Sequence, residues 1–91
     1  MSVTVRIPTQ LRTLTGGNGE LSLEGTTVGE VLKALDAAHP GMADRLFDES
    51  GGLRRFVNVF VEDEDVRFLD GLATTVSAGQ TVSIVPAVAG G

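Results

Sequence analysis

The residues of this sequence best placed to do chemistry are its last two, Gly90 and Gly91. A chain that closes on two glycines carries its α-carboxylate on a thin, unhindered stalk. Glycine has no Cβ, so such a stalk enters channels too narrow for any other residue. The chemical asset on offer is that carboxylate, with the rest of the chain as the body that carries it. By itself the pair is a modest signal, because chain ends tolerate glycine. It gains weight only if the rest of the chain is a body built to present it.

Other residues with chemical potential are set aside on spacing. Gly16-Gly17-Asn18-Gly19 is followed by no Lys-Ser/Thr and opens no helix, so it reads as a turn rather than a phosphate cradle. Glu62-Asp63-Glu64-Asp65 lacks the glycine that a calcium loop needs at its sixth position, where Phe68 stands on a count from Asp63. It reads as a solvated acidic turn. His39 is the single histidine, before Pro40, with neither a second ligand nor a nucleophile to serve. There is no cysteine, which excludes disulfides, thiolate metal sites and a cysteine nucleophile. No metal site and no independent enzyme are expected.

Composition narrows the partners. The net charge of −5 leaves no basic stripe for nucleic acid, and an acidic body suits a basic patch on a protein partner. No apolar run approaches the roughly 20 residues that span a bilayer, and the first residues do not form a signal peptide. The expected location is the cytoplasm.

The elements that would position the diglycine follow from hydrophobic period. Val3, Val5 and Ile7 alternate with polar residues over 2–7, a strand with one buried face. Glu20 to Glu24 alternates again, making a hairpin with a long connection in which Leu11 and Leu14 continue an apolar edge. Thr27 and Glu30 have capping-box spacing. Val28, Val31, Leu32, Leu35 and Ala38 then form one helical stripe, ended by His39-Pro40-Gly41. Met42, Leu46 and Phe47 suggest a short helical lid, and 48–52 a loop. Residues 56–61 are the most strand-like run, with Val57, Val59 and Val61 on one face and Phe56 and Phe60 on the other. After the acidic turn, 66–68 reads as a short edge strand, 71–74 as irregular and 77–80 as a turn. In the final strand, 81–85, Val82 and Ile84 point inward and Val85 outward.

Strand, strand, helix, strand, short strand, strand is an α+β order. It predicts a β-grasp, ubiquitin-like in form, with a mixed four- to five-stranded sheet packed on one main helix. In that topology the first and last strands lie parallel at the centre. The body is 1–85, and 86–91 is a flexible tail reaching roughly 20 Å at about 3.3 Å per residue. Phe56, Phe60 and Val85 form an apolar patch on the outer face, a candidate handle for a partner. The alternative is that Phe60 is covered by Leu11 or the Pro8 segment.

At this level of detail the chain resembles the ubiquitin-like sulfur carriers, the ThiS/MoaD family, nearest its CysO branch. The resemblance runs through Val3-Thr4-Val5-Arg6-Ile7-Pro8, the helix capped at Thr27, Arg55-Phe56-Val57-Asn58-Val59, Glu64-Asp65-Val66-Arg67-Phe68, Gly71-Leu72-Ala73-Thr74, and the ending Val85-Pro86-Ala87-Val88-Ala89-Gly90-Gly91. It implies that Gly91 is the sulfur-carrying residue, with Gly90, Ala89 and Val88 recognised as the tail. It also implies an E1-like adenylating enzyme that uses ATP, although the carrier itself binds no cofactor. The thiocarboxylate at Gly91 would pass its sulfur to an acceptor, a cysteine synthase-like enzyme in this branch, and a zinc metallopeptidase would release the cysteine. Thiamin, molybdopterin or a thiosugar as sulfur destination, and covalent modification of proteins, stay open.

Overall fold

The structure, a computed structural model, describes residues 2–54 and 57–86. Five strands form one mixed sheet: β1 (Val3–Arg6), β2 (Glu20–Leu23), β3 (Val57–Val61), β4 (Glu64–Asp65) and β5 (Thr81–Pro86), in the order β2-β1-β5-β3-β4. β1 runs antiparallel to β2, from Val3↔Leu23 to Arg6↔Glu20. β5 runs parallel to β1, from Thr4↔Thr81 to Arg6↔Ser83, and antiparallel to β3. The first and last strands are therefore side by side at the centre, and the fold is the β-grasp expected from element order.

One face of this sheet is closed by α1 (Val28–Ala38). Val28, Val31, Leu32 and Leu35 are fully buried against Val3, Val5, Val59, Val82 and Ile84. Removing side chains of this size from water contributes about 1.5–3 kcal/mol each. Ala38 was expected to complete the helical stripe, and it is exposed instead. At 100° per residue it lies about 80° round from Val28, on the margin of the stripe, and it is the last residue of the helix. α2 (Met42–Leu46) lids the core with Met42 and Leu46, as expected.

The helix start is held by Thr27, whose Oγ1 accepts a bond from Glu30 N at 3.2 Å. The return bond falls one residue earlier than a capping box predicts. Glu30 Oε1 accepts from both the amide and the hydroxyl of Thr26, each at 2.7 Å. Thr26 offers two donors to one oxygen, whereas Thr27 has its hydroxyl committed to the helix. Glu30 is consequently held below the usual carboxylate range, chiefly by the Thr26 amide and then by its hydroxyl.

Two further stretches depart from expectation. The long connection that carries Leu11 and Leu14 holds an element not read from the sequence: Thr9–Thr15 is a 3-10 helix, entered through Pro8 and closed by Gly16 at φ 68°, and both leucines pack partly buried against the core. Buried Thr15 anchors this helix, donating from Oγ1 to Asn18 O at 2.8 Å. The second departure concerns the expected edge strand at 66–68. The strand is Glu64–Asp65 alone, and Val66–Phe68 is a 3-10 turn. The Asp65 carboxylate accepts from Arg67 N at 2.8 Å, and this local bond competes with further sheet pairing. Of the expected acidic turn from Glu62 to Asp65, Glu62-Asp63 is the turn, with Glu62 at φ 58°, and Glu64-Asp65 pairs with β3 instead.

Candidate functional site: the exit of the final strand

β5 carries the chain out of the body. Its register with β1 stops at Arg6↔Ser83, while its register with β3 continues to Asn58↔Val85 and Val57↔Pro86. Beyond Ser83 the strand thus has a described sheet neighbour on one side only. Pro86, which has no N–H to give a ladder, suits that position. The strand extends one residue past the boundary drawn at Val85.

The alternation read from the sequence governs which side chains face out. Val57, Val59 and Val61 are buried, and Asn58 and Phe60 lie on the other face, half-buried. On β5, Val82 and Ile84 are buried and Val85 is 43% exposed. Phe60 sits opposite Ser83, so Val85 is its diagonal neighbour on the outer face. Phe56, Val88, Ala89, Gly90 and Gly91 lie outside the described residues.

Two arginines that the sequence reading did not single out stand on either side of this exit. On the β3 side, Arg67 Nη1 donates to Asn58 Oδ1, directly across from Val85. Its Nη2 donates to the carbonyl oxygens of Val57 at 2.8 Å and Arg54 at 2.9 Å. On the β1 side a cavity of about 590 Å³ opens, lined by Arg6, Pro8, Arg12, Glu20, Ile84 and Val85 among others. Arg12 Nε donates to Ile7 O at 3.1 Å. Its guanidinium lies so close over Gly19 that a Cβ there would stand 3.1 Å from Arg12 Cζ. The missed signal was strand register. Once β1 and β5 are placed in parallel, Arg6 and the segment after it must lie beside Ser83 and Ile84.

Nearby Arg6 is paired with Glu20 at 3.5 Å, both side chains well exposed. Arg12 and Arg67 have no carboxylate within ion-pair distance among the described residues. Phe68, read as part of an edge strand, is instead 88% exposed on its 3-10 turn. Among the described residues no group of His, Asp or Glu gathers to hold a metal ion, and no helix is long and apolar enough to cross a membrane.

A mixed sheet of this order, grasping one helix and delivering its central strand to a diglycine, defines a ubiquitin-like carrier domain. The model of the ThiS family matches residues 5–91, and the chain belongs to that family. It is 54% identical over 93 residues to sulfur carrier protein CysO of Mycobacterium tuberculosis, covering 100% of both chains. A solved BexX/CysO complex from Amycolatopsis orientalis contains a chain with 50% identity and a TM-score of 0.92, over 98% of this chain and 99% of that one. Small archaeal modifier protein 3 of Haloferax volcanii is 44% identical over 68 residues, covering 75% of this chain and 73% of that protein.

Proposed function

We propose that this chain is a sulfur carrier, and that the Gly91 carboxylate is its working group. Full-length similarity to a sulfur carrier, on a body whose central strand leads directly into Gly90-Gly91, is the observation that carries this reading. A carboxylate is a poor electrophile. Attack of its oxygen on the α-phosphorus of ATP expels pyrophosphate and gives an acyl-adenylate. Sulfide then attacks the carbonyl carbon and expels AMP, leaving a thiocarboxylate; a persulfide would instead leave an acyl disulfide, from which a thiol of the partner enzyme releases the thiocarboxylate by forming a disulfide with the donor sulfur. The carrier contributes presentation. The chemistry belongs to a partner enzyme that holds the tail beside ATP, where positioning replaces a bimolecular encounter.

Cysteine synthesis is the favoured destination, given the similarity to CysO. The thiocarboxylate sulfur would displace the leaving group of an activated serine derivative on a cysteine synthase-like enzyme. A zinc metallopeptidase would then free the amino acid. All of these steps belong to the cytoplasm. The chain itself is a substrate of these enzymes, holding no cofactor and no metal.

The similarity to a small archaeal modifier protein favours a second reading, in which activated Gly91 acylates lysines of target proteins. Intact-mass analysis of protein recovered from its own host separates the two. Replacement of one oxygen by sulfur supports the carrier, and conjugates of higher mass support the modifier. Deletion of Gly90-Gly91 should abolish both products. An unaltered phenotype in a strain carrying that deletion would count against both.

A further inference from the structure

We propose that Arg12 and Arg67 form a basic collar around the exit of β5, and that the enzyme receiving the tail presents carboxylates at the mouth of its tail channel to meet them. The collar rests on the carrier reading and specifies the partner's chemistry.

Net charge points the other way. At −5 the whole chain should select a basic partner. The charges are, however, segregated along the sheet. Glu62, Asp63 and Glu64 lie around the β3–β4 hairpin, where Val61 pairs with Val82 and Glu62 Oε2 accepts from Thr81 N at 2.8 Å. That is the start of β5; Arg12 and Arg67 flank its end. Two carboxylates lie nearer the arginines: Asp65, which accepts from Arg67 N, and Glu20, which lines the Arg12 cavity in its pair with Arg6. Around the exit the arginines Arg6, Arg12 and Arg67 outnumber the carboxylates Glu20 and Asp65, so a partner seated there meets a local excess of positive charge.

Both guanidiniums are held ready. Arg67 is fixed by Asn58, Val57 and Arg54, which leaves Nε and one Nη1 hydrogen for a partner, and Arg12 is fixed by Ile7 O and by its seat over Gly19. Arg12 spends only Nε on the body, so both Nη nitrogens are left to fork onto a carboxylate. Arg6, beside them, already has Glu20. Val85, 43% exposed between the two, supplies the apolar centre that such an interface needs. The tail spans at most about 17 Å beyond the strand, five residues at about 3.3 Å each. The partner's carboxylates would thus stand at the outer end of the channel, away from the adenylation site.

The test is ATP–pyrophosphate exchange by the adenylating enzyme of the same organism, with this protein as varied substrate. R12Q and R67Q should each raise KM about tenfold, the scale expected when one charge-assisted hydrogen bond to the partner is removed. K33Q makes the same charge change on α1 and should leave KM unaltered. R12K keeps the charge but lacks the planar fork, and it should raise KM to a value between wild type and R12Q. If R67Q fails to fold by circular dichroism, R12Q and R12K decide the matter. Variants whose KM is unchanged, or lowered as net charge would require, overturn the collar while leaving the carrier intact. Wild-type protein that supports no exchange at all overturns the carrier reading and the collar together.

Discussion

Glu30 and Asp48 show how single side chains tie this structure to pH. Glu30 is depressed by the Thr26 amide first and the Thr26 hydroxyl second. Asp48 is depressed chiefly by the Ser50 hydroxyl, which donates to Oδ1 at 2.6 Å, and by the Ser50 and Gly52 amides. For both, the folded value lies below the unfolded one. Between the two values the unfolded chain binds more protons, so stability is present above the ordinary carboxylate range of about 4 and is lost as pH falls through the depressed values. Urea midpoints measured from about pH 6 down to about pH 3 should decline, and E30Q should flatten part of that decline. A T27A variant should lose about 1 kcal/mol at neutral pH through its unsatisfied helix amide, read from the same melts. Thr27 and Glu30 were legible because an N-cap has a fixed spacing. The second partner, Thr26, was not, because a flexible glutamate reaches either of two adjacent amides and only the folded backbone selects one.

Among the elements, legibility followed period. Val57-Val59-Val61 and Val82-Ile84 alternate strictly, and each faces the core as read. The α1 stripe was equally plain up to Leu35 and failed at Ala38, where a small side chain at a helix end carries little information. Thr9–Thr15 was not read as an element and Val66–Phe68 was misread as a strand, because short 3-10 turns impose no period of their own and are fixed by local bonds such as Asp65 to Arg67 N. Packing at the α1–sheet interface sets two expected outcomes. L35A should cost about 2–5 kcal/mol in urea unfolding, the range for emptying a fully buried leucine site. G25A should also destabilise, because a Cβ there would meet Val31 N and Val31 Cγ2 at 2.9 Å. The backbone of an embedded helix cannot retreat from that clash. An unchanged urea midpoint for G25A would show that the segment before α1 shifts freely.

For the whole molecule, the sheet order and the identity of the central strand were legible from element order alone, and with them the place where the tail leaves. The distribution of charge was not, since net charge has no direction until strands are in register. Because the described core ends at Ile84, a chain lacking Gly90-Gly91 should melt at the temperature of the intact protein while losing exchange activity. Calorimetry beside the exchange assay separates the two effects. A large drop in melting temperature would mean that the tail supports the body, contrary to the division between them. The central pairing of β1 with β5 has a kinetic consequence. Val5 and Val82 are partners, so the ladder closes only after a loop comprising most of the chain has closed. The β1–β2 hairpin and α1 can form early, yet neither has a complete sheet to pack on until β5 arrives between β1 and β3. Folding is thereby made conditional on the segment that bears the tail. A fragment that stops short of β5 cannot acquire the body by which partners would hold it, so incomplete chains are denied entry to the pathway as decoys.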